Sequence, residues 1–388
     1  MTRSWSSSGI RGTRGRSGNA WRRYRAPAAE ASVCTIYMGY AVNMHGGGGR
    51  DCPLVYIHAM TDDAESKGPL ARVGVLGGSG YTGLEATTLL AKHPGVSLAF
   101  TSSRSAQGSP SPAPGLPFTV PDEARAREVD VLFLCLPHGT AAEWVDRILG
   151  AGGASPRIVD LTADHRPGSG RENGAVYGLN EWFREEIAQA KLVANPGCYP
   201  TGVLASLLPL VRAGLPARDH LTVINAASGV TGAGRTSRTD LLFGEVSENF
   251  RAYGTGNRHR HLREMRALLQ DGVDLVFQPH LLPVRRGILE TMVVPVTPGV
   301  GPDDVRAAWR EKYEGEPAIR ILDEGLPALS DVRETDRCHL GVEELSDTGR
   351  PAVMVGAALD NLGKGAAGQA LQNLNAMMNW PTERGLRC

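Results

Sequence analysis

No stretch of this 388-residue sequence is both long and apolar. Its longest apolar run, Val131–Leu136, has six residues, against roughly 20 for a membrane-spanning helix, so a spanning helix is excluded. Net charge is missing as well: Lys+Arg and Asp+Glu each total 41. That excludes a general nucleic-acid binder and a protein held to membranes by basic charge. Paired cysteines are absent. The six cysteines, at positions 34, 52, 135, 198, 338 and 388, form no CxxC or CxxH spacing. A zinc ribbon and a dense disulfide framework are thereby excluded, and a reducing compartment fits. Acids and lysine are missing from residues 1–29, which carry seven Arg and five Ser. Through residue 66 no period of two or 3.6 is sustained, so little packed structure is expected there. The stretch reads as a plain extension, or as a start assigned upstream of Met44 or Met60. The alternative is an organelle transit segment, which is Arg- and Ser-rich and poor in acids. The expected location is the cytoplasm, or an organelle under that alternative.

What is present begins at residue 70. Arg72–Leu76 reads as a buried strand and runs into Gly77-Gly78-Ser79-Gly80-Tyr81-Thr82-Gly83, followed by a helical pattern over Leu84–Leu90. Gly78, Gly80 and Gly83 make G-x-G-x-x-G between a strand and a helix. That arrangement predicts a tight turn, close backbone approach to a pyrophosphate, and a helix start whose N–H groups face an anion. A second strand, Ser97–Thr101, would end in Asp or Glu at an NAD site. Ser102-Ser103-Arg104-Ser105 stands there instead. Hydroxyls and a guanidinium suit a 2′-phosphate, so NADP is the expected cofactor. Strands over Asp130–Leu136, Arg157–Leu161 and Lys191–Ala194, with a helix over Ala141–Leu149, predict a doubly wound parallel sheet. Segment 102–121 holds five prolines and reads as a surface loop.

The strand ending at Ala194 leads into Asn195-Pro196-Gly197-Cys198-Tyr199-Pro200-Thr201 and a helix from Gly202 to about Val211. Cys198 therefore falls at or near a helix start. There the dipole and free N–H groups favour a thiolate and offer an oxyanion site. A nucleophile is the preferred reading, against a small buried apolar cysteine. A thiol nucleophile needs a proton partner, and Tyr253–His261 is the densest histidine patch. Its His259-Arg260-His261 alternation predicts two imidazoles on one side of an extended segment and Arg260 on the other. No ligand cluster accompanies the pair, so no metal is predicted. Ser228–Arg235 follows a strand over Leu221–Ala226 and reads as a loop that wraps an anion. Beyond residue 270, strands over Asp274–Phe277, Gly287–Val296, Ala318–Leu322, His339–Val342 and Ala352–Leu359 flank a helix over Asp303–Tyr313. These predict an α+β domain with a largely antiparallel or mixed sheet. Asp360–Gly368 opens a last helix to about Trp380, whose small residues suit packing on the first domain. The expected division is an NADP-binding Rossmann domain over 70–200, completed by 360–388, and a catalytic and oligomerisation domain over 201–359.

Taken together, these segments resemble the N-acetyl-gamma-glutamyl-phosphate reductase family, NADP-dependent enzymes of arginine biosynthesis in the aspartate-semialdehyde-dehydrogenase-like superfamily. The resemblance covers roughly residues 70–388. It also rests on Asp160-Leu161-Thr162-Ala163-Asp164 and on Val176–Glu181. It implies a second domain like that of glyceraldehyde-3-phosphate dehydrogenase, Cys198 as nucleophile with His259 as its partner, and a homodimer or homotetramer. It places NADP contacts in Gly80–Gly83, Ser103–Arg104 and Asn361, beside Gly77, Gly78 and Ser79 of the glycine turn. Ser228, Arg235, Arg260 and His261 are the candidates for holding substrate phosphate or carboxylate. His165 departs from the aromatic expected after Asp164, and Asn257-Arg258 departs from the usual approach to the histidines. The implied reaction reduces N-acetyl-L-glutamyl 5-phosphate to the 5-semialdehyde through a cysteine thioester. Aminoadipyl or aspartyl phosphates are the alternative substrates; one methylene is worth only about 1–3 kcal/mol. A non-catalytic NADP sensor on the same fold would lack the thiol or the histidine, and both are present.

Overall fold

The computed structural model describes residues 70–171, 174–235 and 238–388. The expectation for residues 1–66 lies outside them. The first layer is built from β1 (Ala71–Leu76), α1 (Tyr81–Lys92), β2 (Val96–Ser102), α2 (Glu123–Arg127), β3 (Val131–Leu134), α3 (Ala141–Gly150), β4 (Arg157–Asp160), β5 (Val176–Tyr177), α4 (Asn180–Gln189) and β6 (Leu192–Ala194). Its strands run in the order β2-β1-β3-β4-β6-β5, and every pairing is parallel. β3 and β6, and β1 from Val73 onward, are continuous apolar segments because helices cover both faces of the sheet. Strand order reverses at β1, between β2 and β3. The carboxyl ends of β1 and β3 therefore frame an open crevice, the usual ligand position in such sheets.

The second layer follows: α5 (Cys198–Arg212), β7 (Leu221–Gly229), α6 (Phe243–Val246), β8 (Arg251–Ala252), α7 (His261–Leu269), β9 (Asp274–Leu282), β10 (Ile288–Pro295), α8 (Pro302–Tyr313), β11 (Ile319–Ile321), β12 (Cys338–Glu344), β13 (Ala352–Leu359) and α9 (Gly368–Met377). The seven strands lie in the order β11-β12-β13-β10-β7-β9-β8. β11 with β12 and β7 with β9 are parallel and the remaining pairs antiparallel, so the sheet is mixed, as expected. α5 buries Val203, Leu204 and Leu207 against Ile224, Met292 and Val355 of this sheet. α9 returns to the first layer, setting Ala370, Leu371 and Leu374 against Val73, Val75 and Phe133.

Several expectations shift. α5 begins at Cys198 rather than Gly202, because Pro200 is compatible with a first turn. The last helix does not run unbroken from Asp360. Residues 363–367 form a wider turn, with Gly365 N–H donating to Asp360 O and Ala367 N–H to Leu362 O, each at 2.9 Å. His259–His261 is not an extended segment. Arg260 has helical angles, φ −57° and ψ −31°, and His261 is the first residue of α7. β5 and α4 lack a foreseeable pattern: β5 is two residues long. Segment 102–121 is a loop tied down at its base, Ser103 N–H donating to Thr119 O at 2.8 Å.

Candidate active site

The glycine turn owes its shape to packing at three of its four glycines. Gly77 has φ +84°, and an added Cβ would lie 2.3 Å from Cys135 O. At Gly78 a Cβ would sit 1.9 Å from Thr101 Oγ1, and at Gly83 2.2 Å from Gly77 O. Gly78 thus serves the packing of turn on sheet and, unlike its neighbours, does not line the crevice. Gly80 differs: nothing in the protein comes within 3.7 Å of its would-be Cβ. Next to the turn, Ser79 and Ser103 share a 2.7 Å hydroxyl bond. Arg104 is exposed at the crevice wall. No carboxylate replaces it at the end of β2.

Cys198 opens α5, with Gly197 as the preceding cap. The thiol is not poised as a thiolate. Burial pushes it from 9.0 up to about 11, against the lowering influence of Arg166, the Tyr199 amide and Arg260. A helix start contributes about 0.3–1 kcal/mol, less than one pKa unit, so burial wins. The histidines are neutral too. Burial, then Arg260, pushes His259 down to about 4, and burial with Arg166 holds His261 well below its usual range. The two rings meet edge to face at 4.7 Å. His259 is also flanked by Tyr199, Tyr253 and Phe277, and its Nδ1 accepts from the His261 amide at 3.3 Å. His261 is the one that borders the cysteine turn: a Cβ on Gly197 would fall 2.7 Å from its Nε2.

Sequence reading missed the groups that hold this turn. Glu264 accepts from the Gly197 amide and the Tyr177 hydroxyl, both at 2.7 Å, and pairs with Arg166 at 3.5 Å. Its signal was spacing: it lies three residues after His261, on the same helix face. Arg166 follows β4, donates to Asn195 O and Leu161 O at 2.7 and 3.0 Å, and is buried beside Gly197. His165, the departure from the expected aromatic, forms a fully buried 2.6 Å contact with Asp160. Glu290 on β10 lies under α5, 2.2 Å from where a Cβ on Gly202 would be. Neither of its oxygens has a partner among the described residues, and burial holds it well above the usual carboxyl range.

One crevice of about 1310 Å³ joins the glycine turn, Ser103, Arg104, Cys198, His259, Arg260, His261, Ser228 and Asn361. Arg235 lines it too, but at the dinucleotide end, donating to Ser79 O at 2.7 Å. Asn361 is occupied within the protein, donating to Thr231 Oγ1 at 2.9 Å and accepting from Gly287 N–H at 2.8 Å.

Residues 72–190 match the model described as semialdehyde dehydrogenase, NAD binding domain, and residues 198–361 match semialdehyde dehydrogenase, dimerisation domain. An N-acetyl-gamma-glutamyl-phosphate reductase of Citrifermentans bemidjiense is 39% identical over 345 residues, covering 82% of this chain and 98% of that protein. The chain belongs to the N-acetyl-gamma-glutamyl-phosphate reductase family. A further family member, from Arabidopsis thaliana and described as probable and chloroplastic, is 40% identical over 81% of this chain and 84% of its own. Aspartate semialdehyde dehydrogenase II of Vibrio cholerae shares the fold, with a TM-score of 0.65 at 16% identity over 80% of this chain and 99% of its own. The Candida albicans aspartate semialdehyde dehydrogenase solved with NADP gives a TM-score of 0.58 at 18% identity over the same shares. Among the described residues, no helix is long and apolar enough to cross a membrane.

Proposed function

We propose that the chain reduces N-acetyl-L-glutamyl 5-phosphate to N-acetyl-L-glutamate 5-semialdehyde and phosphate with NADPH, as a step of arginine biosynthesis. The observation that carries this reading is a cysteine at a helix start in the same crevice as a dinucleotide turn, in a chain of this family. The residues fit the cofactor. Gly80 is a glycine that protein packing does not require, as close pyrophosphate approach would. Ser79, Ser103 and Arg104 offer hydroxyls and a guanidinium where an NAD site would carry an acid, which supports NADP. When bound, the nicotinamide supplies the hydride. Cys198 sulfur attacks the acyl carbon; the C–S bond forms, the C–O bond to phosphate breaks, and a thioester remains. His259 hydrogen-bonds the oxyanion, and the thiol proton passes to the imidazole pair it forms with His261. Arg260 holds anionic substrate at the thiol end, beside Ser228, while Arg235 and Asn361 keep the loop over the dinucleotide turn. Collapse of the reduced adduct frees the aldehyde and returns the proton to sulfur.

The division at residue 200, with 360–388 completing the dinucleotide unit, is part of this proposal. So is self-association of the second sheet. Val223, Val293 and Met354 lie side by side there and stay half-buried in one chain, which suits a second copy. Cys135, Cys198, Cys338 and Cys388 are free, which favours the cytoplasm. The test is NADP reduction with N-acetylglutamate semialdehyde and phosphate, run beside aspartate and N-acetyl-aminoadipate semialdehydes. Turnover preferring the first supports the reading; preference for either of the others moves the enzyme to that substrate.

A further inference from the structure

Behind the cysteine crevice lies a second cavity of about 330 Å³, set between the start of α3, the loop after β4 and the start of α7. It shares Arg166, Arg260 and His261 with the crevice, so these three side chains form the wall between the two. Its charges do not balance. Asp164 is consumed by the Gly139, Ala141 and Ala142 amides at 2.7–3.2 Å. Glu264 is consumed by Arg166, the Gly197 amide and Tyr177. Arg171 pairs with Asp146. Arg260 and Arg263 remain, three residues apart on one side of the α7 start. Among the described residues, neither guanidinium donates to any acceptor. His261, 5% exposed, adds a buried Nδ1 with no partner there.

We propose that this cavity receives the carboxylate-bearing end of the substrate, with Arg263 as the carboxylate anchor and Ala142, Ala163 and Pro167 against the acylamino methyl. The inference rests on the reaction proposed above. In that substrate the phosphate is bonded to the reacting carbon and must lie in the crevice with Cys198. The dinucleotide phosphates belong to the glycine turn. The remaining anion, the α-carboxylate, stands four carbon–carbon bonds from the reacting carbon. Among the described residues lining the second cavity, the unpaired cation beyond Arg260 is Arg263, which does not line the crevice. An aldehyde without that carboxylate lacks the group the cavity is charged to hold.

The experiment compares N-acetylglutamate semialdehyde with 4-acetamidobutanal, the same aldehyde without its α-carboxylate, in wild type, Arg263→Gln and Arg263→Lys. Wild type should favour the carboxylated aldehyde in kcat/KM by roughly tenfold or more, the effect of one charged hydrogen bond. In Arg263→Gln that preference should fall towards one through a higher KM for the aldehyde, with KM for phosphate and for NADP within twofold, and Arg263→Lys should restore part of it. An unchanged preference in Arg263→Gln overturns the proposal. So does a raised KM for phosphate with the aldehyde unaffected, which would make the cavity a phosphate site. If wild type turns over neither aldehyde, the reaction itself is wrong. The cavity is then judged by calorimetric titration of N-acetyl-L-glutamate, where equal affinity for wild type and Arg263→Gln overturns it.

Discussion

At Cys198 two effects of known sign oppose each other, and their sizes decide the resting state. The helix start and Arg166 favour thiolate; burial favours thiol and prevails, leaving the group at about 11. Below that value the thiolate fraction rises tenfold per pH unit. Iodoacetamide labelling of Cys198, followed by mass spectrometry of its peptide, should therefore accelerate about tenfold per unit between pH 7 and 9. A plateau near pH 6 would mean an ion pair already formed with a histidine. Among the imidazoles, His259→Asn should slow turnover by roughly 10²–10⁴, and His261→Asn by less. Reversal of the two would pass the leading role to His261, the ring that borders Gly197. The position of Cys198 was legible from a strand end, a glycine and Pro200. Its ionisation was not, because burial depends on Gly365 and Leu359, more than 160 residues away in sequence.

At the scale of elements, two buried charges join pieces far apart in the chain. Lys364, in the wide turn before α9, reaches Glu181 of α4 at 2.5 Å and Gln372 at 2.6 Å. Lys364 and Glu181 side chains are 1% and 2% exposed. Removing one partner strands the other, so Lys364→Met should destabilise the protein by about 3–5 kcal/mol, and Glu181→Gln in the same chain should recover much of that loss. Chemical denaturation of the single and double variants checks this; simple additivity would contradict it. Glu290 is a different case, a carboxyl with no partner. Its folded pKa lies above the unfolded value near 4.5. The unfolded chain ionises first, so the stability this group gives at low pH is lost as pH rises from there towards the folded value. Glu290→Gln should thus raise the melting temperature relative to wild type by more at pH 8 than at pH 5, on the order of a few degrees. A gain equal at both pH values would show that the carboxyl is ionised or paired. Element types were largely readable from period, since parallel strands are apolar runs and helices repeat at 3.6. The wide turn at residues 363–367 was not, because Gly363 and Gly368 there pack against Thr335 and Asp336, a contact that no local period encodes.

Across the whole molecule, the crevice exists because the chain crosses between its layers twice, at Pro196–Cys198 and again at Leu359–Gly365. Arg286 bridges those layers, binding Glu85 of α1 at 2.9 and 3.0 Å and Asp360 at 3.0 Å. Arg387 near the C-terminus adds Asp336 and Glu85 to the same network. The proposed self-association uses Val223, Val293 and Met354 of the second sheet. Val293→Arg should lower the sedimentation coefficient towards that of one chain, and an unchanged value would place association elsewhere. Which chemistry the assembled crevice performs is decided by an acyl group on one sulfur. Enzyme mixed with N-acetylglutamate semialdehyde and NADP, without phosphate, should form up to one NADPH per chain in a burst and carry an N-acetylglutamyl group on the Cys198 peptide by mass spectrometry, discharged when phosphate is added. A burst without that adduct, or the same turnover in Cys198→Ser, would contradict the account.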